Sequence, residues 1–236
     1  MQCKEIIQVI EATFPRTAAL GFDNVGLLAG RSEKEVSRIY LALDATDVVI
    51  DRAIKEGADM LITHHPLLFS AVKKVTDEDF ITRRIVKLIQ NDISYYAMHT
   101  NYDVAKMAEL AEHALHLTNC APLEVTGVDA DGNAYGIGSV GELPERMSAK
   151  ACCAYVKEAF GLTHVQLFGE PDTDVKRMAV CPGSGGKELM EEALKSGADI
   201  YLTGDVGHHT GLDAQDQGLT VIDAGHFGIV KIYIAQ

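Results

Sequence analysis

The chain has 236 residues, 47% hydrophobic and 23% charged, with a net charge of −13. It is long enough to bury a core without staples, and its acidity argues against a general binder of nucleic acid. No apolar run approaches the roughly 20 residues of a membrane span, and the N-terminal residues carry no signal-peptide pattern; five cysteines (Cys3, Cys120, Cys152, Cys153, Cys181) without Cys-x-x-Cys spacing suit a reduced, cytoplasmic protein.

In chain order, residues 3–14 predict an amphipathic helix that Pro15 ends. Asp23-Asn24 reads as turn chemistry leading into a short strand at 25–30. Ile39 to Asp44 is an apolar strand, residues 47–55 a helix closed by Gly57, and Ala58 to Thr63 a strand that runs into His64-His65-Pro66. A helix over 78–91 precedes a strand over 93–98 that ends at His99. Asp103 opens the next helix, to Leu117, and on its own it reads as an N-cap. The glycine-rich stretch 119–148 predicts short strands and turns. A helix over 148–160 follows, with Cys152 and Cys153 as packing residues and Gly161 closing it, then a strand over 164–168. The strand–helix–strand rhythm with continuous apolar strands predicts α/β architecture with mostly parallel sheets covered on both faces.

The second half copies the first. Residues 53–65 match residues 193–205, 140 positions on throughout, with Lys, Gly, Ala, Asp and Thr recurring in register. The reading is two similar three-layer α/β/α domains from an internal duplication, 1–125 and 126–236. Ligands of open parallel sheets gather beyond the carboxyl ends of strands, and His64, His65, His99, Asp205 and His226 all fall at or just past such ends.

His64-His65 is the most informative pair. Adjacent side chains point to opposite faces of a strand, but at a strand end followed by proline the backbone turns and both imidazoles can reach one site. With Asp103 and His226 they form a mixed nitrogen and oxygen donor set suited to Zn, Mn, Fe, Co or Ni. Two ions could be held if a carboxylate bridges them. Cys181 to Lys187 joins a strand to a helix without Walker A spacing, and reads equally as a tight turn or an anion-binding helix start. His208 and His209 read as substrate-facing or supporting residues; the roles of His99 and Asp205 stay open.

Asp23-Asn24-Val25-Gly26-Leu27, Thr63-His64-His65-Pro66-Leu67, His99-Thr100-Asn101-Tyr102-Asp103, Gly183-Ser184-Gly185, Thr203-Gly204-Asp205 and Asp223-Ala224-Gly225-His226 together resemble the NIF-three-like dinuclear metal centre proteins, known as GTP cyclohydrolase I type 2 homologs. The resemblance covers nearly the whole chain. It implies two α/β domains with a metal cleft between them and a homohexamer, a ring of dimers. It implies two divalent ions per subunit, held by His64, His65, Asp103 and His226. It also implies a bridging glutamate four residues after the last histidine, and a continuation into a C-terminal helix. That position is Val230 here, which weakens the second metal site, and the sequence ends at Gln236. The expected activity is that of a metal-dependent hydrolase of GTP cyclohydrolase type, with metal-activated water attacking a purine nucleotide or another small phosphate-bearing substrate. The alternative is a non-catalytic metal-binding or regulatory hexameric scaffold.

Overall fold

In the structure, a computed structural model that describes residues 1–235, the apolar runs before His64 and His99 lie side by side at the middle of a sheet. They are β3 (Met60–Thr63) and β4 (Ser94–Ala97), and every residue of both is buried. β1 (Gly26–Ala29) and β2 (Ile39–Ala42) complete the sheet in the order β1-β4-β3-β2. β2, β3 and β4 run parallel, and β1 is antiparallel to β4. The helices α2 (Asp47–Lys55) and α3 (Phe80–Gln90) cover one face. Their Ile50, Ala53, Ile85 and Leu88 pack with Leu61, Tyr95 and Ala97. Each such side chain of leucine or isoleucine size contributes about 1.5–3 kcal/mol when withdrawn from water. α1 (Cys3–Thr13) is tied to Tyr96 of β4 by a hydrogen bond from the tyrosine hydroxyl to Glu11 (3.1 Å). The apolar run at β2 does not mean burial on both faces: Ile39 and Leu41 are 44% and 40% exposed, because β2 is an edge strand.

The chain divides into two units, Met1–Ala105 and Lys106–Gln236. Helical backbone runs across that boundary as α4 (Thr100–Tyr102), a π-helical turn (Asp103–Met107) and α5 (Ala108–Ala114). Asp103 is therefore not the N-cap that the sequence suggests. His99 holds the cap position, and Asp103 donates its N–H to the carbonyl of His99 (3.0 Å) from inside the helical run. π-Helical turns are frequent at functional sites because they redirect side chains out of the regular α-helical spacing.

The second unit begins with a long hairpin, β5 (Thr118–Val128) and β6 (Ala134–Ser148), where short strands are expected. Its glycines mark close approach of backbones, not strand ends: a Cβ on Gly136 would lie 1.8 Å from the carbonyl oxygen of Glu124. There follow α6 (Ala149–Phe160), β7 (Gln166–Phe168), β8 (Asp174–Ser184), α7 (Gly186–Lys195), β9 (Ile200–Gly204), α8 (His208–Asp216), β10 (Thr220–Asp223) and α9 (His226–Val230). The sheet order is β5-β6-β8-β9-β10-β7, with β8, β9 and β10 parallel and the flanking pairs antiparallel. Alternate residues feed two cores. Met178, Val180, Ile200, Leu202 and Ile222 meet Ala149, Cys152, Val156 and Phe160 of α6. Ala179, Cys181, Tyr201 and Val221 meet Leu189, Met190 and Ala193 of α7. That alternation is the physical signature of a sheet covered on both faces.

The residues repeated between the halves do the same structural work in each. The Asp59 carboxylate accepts the N–H groups of Ser37 and Arg38 (2.8 and 3.0 Å), and Asp199 accepts those of Lys176 and Arg177 (2.8 Å each). Each aspartate thus ties the start of one parallel strand to the backbone of the strand beside it or of the segment that leads into it. Gly57 and Gly197 both turn out of their helices with positive φ (65° and 72°). The repeat is thus a repeat of structural roles.

Candidate metal centre

The turn after β3 is locked from beneath. The hydroxyls of Thr63 and Tyr95 lie 2.8 Å apart and both bond the carbonyl of His65 (2.8 and 3.2 Å); Tyr95 oxygen also accepts the N–H of Leu67 (2.8 Å). This bends the chain so that adjacent histidines share one side. The imidazole centroids are 4.9 Å apart for His64 and His65, 5.2 Å for His64 and His99, and 5.6 Å for His65 and His99. One ring nitrogen from each can be chosen so that all lie within 4.8 Å of one another. Asp103, aimed by the π-helical turn, places Oδ1 3.3 Å from Nε2 of His64, with side chains 13% and 2% exposed.

Around this cluster stand two further carboxylates. Asp44, just past β2, holds Nδ1 of His65 at 2.8 Å, and Asp23 holds Nδ1 of His99 at 2.9 Å. The other oxygen of Asp23 accepts the N–H (2.9 Å) and hydroxyl (2.5 Å) of Thr100. Asp23 is thus a brace for His99 and for the start of α4, where the sequence suggests only a turn. Burial pushes the Asp23 carboxyl up, but the bonds from His99 and Thr100 outweigh it and bring it down to about 2. Burial pushes His99 down, and the Asp23 hydrogen bond with the charges of Asp103 and Asp23 more than restores it, so it ends above its ordinary value. Asp103 goes the other way: burial pushes it up, aided by the Asp23 charge and only partly opposed by His99, to about 7.

Of the residues expected at the site, the structure brings His64, His65 and Asp103 together and adds His99. His226 lies in the second unit, at the start of α9, with Nδ1 2.8 Å from Asp205 Oδ2. Gly204, which stands where the first half has His64, has no room for a side chain, since a Cβ there would lie 2.6 Å from the backbone nitrogen of His226. Gly204→Ala is accordingly expected to push α9 and His226 out of place and to lower stability by about 2–3 kcal/mol, a melting-temperature fall of roughly 5–10 °C; a scanning calorimetry trace unchanged from wild type would contradict that packing. His208 and His209 are exposed on α8. At the Gly183-Ser184-Gly185 turn, the Gly185 N–H is taken by Thr203 (2.9 Å), and a Cβ on Gly185 would sit 1.7 Å from the Tyr201 hydroxyl, both of which favour the tight-turn reading.

The DUF34/NIF3 (NGG1p interacting factor 3) family model matches residues 1–236. The chain belongs to the DUF34/NIF3 family. A GTP cyclohydrolase 1 type 2 homolog of Clostridium perfringens is 36% identical to this NIF3-family chain over 229 residues, 96% of the chain and 86% of the relative. A Bacillus cereus protein related to NIF3 superposes with a TM-score of 0.91 at 26% identity, over 97% of this chain and 89% of that one. Reduced HcgD from Methanocaldococcus jannaschii does so with a TM-score of 0.85 at 31% identity, over 99% and 92%.

The residues present in this NIF3 chain fit a divalent ion. Imidazole nitrogens and a carboxylate oxygen are the donors that first-row divalent metals take. Asp103 Oδ1 is buried and makes no hydrogen bond among the described residues, an arrangement that disfavours its ionised form and that a cation would reverse. The sequence leaves the role of His99 open, because a histidine at a strand end can pack or ligate; its spacing to Asp103, one helical turn, is the signal that links the two.

Proposed function

We propose that this NIF3-family protein is a metal-dependent hydrolase, with His64, His65, His99 and Asp103 holding a divalent ion and His226 contributing to a second. The convergence of the three imidazoles beside the buried Asp103 carries this reading. A bound divalent ion would supply Lewis acidity toward water and toward an electrophilic carbon or phosphorus of the substrate. The chain's own residues orient the ligands: Thr63 and Tyr95 hold the His64–His65 turn, and Asp23 holds His99. GTP or a related purine nucleotide is the proposed substrate, supported by the name shared by the relatives at 31–37% identity. Five unbridged cysteines suit the reducing cytoplasm as its place of action.

Val230 favours a second reading, a non-catalytic metal-binding scaffold assembled as a hexamer, because valine cannot ligate. Elemental analysis, light scattering and GTP turnover separate the two. The hydrolase reading expects at least one transition-metal ion per chain and turnover that a chelator abolishes. Metal without turnover in a hexamer supports the scaffold, and absence of metal removes both.

A further inference from the structure

Three of the histidines share a feature beyond their position at strand ends: each presents Nδ1 to an aspartate. The pairs are Asp44 with His65 (2.8 Å), Asp23 with His99 (2.9 Å) and Asp205 with His226 (2.8 Å). An ionised carboxylate can only accept. Each Nδ1 therefore carries the hydrogen, and the lone pair of the neutral ring is placed on Nε2. We propose that Asp23, Asp44 and Asp205 are positioning residues that fix these histidines in one tautomer and orientation, with Nε2 as the metal-ligating atom. This rests on the reading of the site as a metal centre.

Two observations beyond the distances point the same way. Asp205 has φ 57°, in the left-handed region where glycine is the unstrained residue. A strained residue persists where its side chain has work that glycine cannot do. Asp44 and Asp205 also have side chains 50% and 57% exposed. Exposed ion pairs contribute little to folding, so their pairing with an imidazole is poorly explained by stability alone. The device occurs in both units, and Asp205 stands in the second at the place that His65 holds in the first. His64 differs: its Nε2 faces Asp103 (3.3 Å), itself a proposed ligand.

Asp23 also braces Thr100, so the test uses the other two positions. Asp44→Ala removes an exposed side chain. Asp205→Gly removes the carboxylate and suits the backbone. Long-range 1H–15N spectra of the metal-stripped protein, at a pH where the rings are neutral, read the tautomers; zinc affinity is read by chelator competition, and folding by the metal-free melting temperature. The expected wild-type result is the Nδ1–H form for His65 and His226. Each variant is expected to turn its own histidine into a tautomer mixture and to weaken zinc binding about 10- to 100-fold, with the metal-free melting temperature within a few degrees of wild type. Nε2–H tautomers in the wild type, or variants that bind zinc as tightly as wild type, overturn the proposal while leaving the metal reading intact. Weakened binding matched by a collapse of the metal-free fold overturns it too. A wild type that binds no zinc at all removes the metal reading, and this proposal with it.

Discussion

Asp103→Asn is expected to weaken divalent-metal binding by about 100-fold or more while making the metal-free protein more stable at neutral pH. Loss of a group that merely supports a ligand costs 10- to 100-fold in affinity as a general order of magnitude, so loss of a ligand itself lies at or beyond the upper end. The stability gain follows from burial. The Asp103 carboxyl titrates near 7 in the fold, against about 4 in an unfolded chain. Between those values the folded state keeps a proton that the unfolded state has released, so the metal-free protein loses stability as pH rises from about 4 to 7. Above that window the loss is complete. Its upper bound is on the order of 4 kcal/mol. The carboxamide pairs less well with His64 than the carboxylate does, so a net gain of roughly 2 kcal/mol is expected at pH 7. The neutral carboxamide removes that pH dependence. Denaturant melts of stripped wild type and variant across this window read the effect directly. A variant that is less stable than wild type throughout, or that binds metal unchanged, would show that Asp103 is an ordinary structural carboxyl.

Val230→Glu has the second large expected effect. Val230 is 1% exposed. Its Cγ2 and the Nε2 of His226 lie 3.5 and 3.7 Å from the point where a Cβ on Gly183 would stand, so both side chains line one gap above that glycine. A glutamate at 230 would bring a buried carboxylate to the edge of His226. Without a cation this is an unpaired buried charge, expected to cost about 3 kcal/mol or more and to lower the metal-free melting temperature by roughly 10 °C. Zinc should restore most of that loss and raise the bound metal by one ion per chain relative to wild type. A variant that binds no more zinc than wild type would mean that His226 takes no part in a metal site.

The parallel strands were legible because continuous apolar runs admit little else in a chain of alternating strands and helices, and Ile200 to Leu202 illustrates it by feeding both cores. The His64-His65 pair stands out in the sequence because two imidazoles follow an apolar strand and meet a proline, a pattern that by itself leaves both packing and metal ligation open. What escaped was whatever depended on groups distant in sequence. Asp23 lies 76 residues from His99, and no local pattern distinguishes a brace from a turn residue. Asp103 is legible in the sequence as a candidate ligand beside the histidines, but the direction of its side chain is not, because it comes from a π-helical turn that sequence spacing does not announce and not from an N-cap. The long hairpin of β5 and β6 is not legible because glycines that permit close backbone approach look, in one dimension, like breaks between strands.

Everything proposed for this protein depends on a divalent ion seated among His64, His65, His99 and Asp103. A crystal of zinc-loaded protein, measured on both sides of the zinc absorption edge, locates that ion without recourse to activity. An anomalous peak bonded to these side chains is expected. Zinc bound elsewhere, or no peak from a crystal grown with excess zinc, would rule the metal centre out.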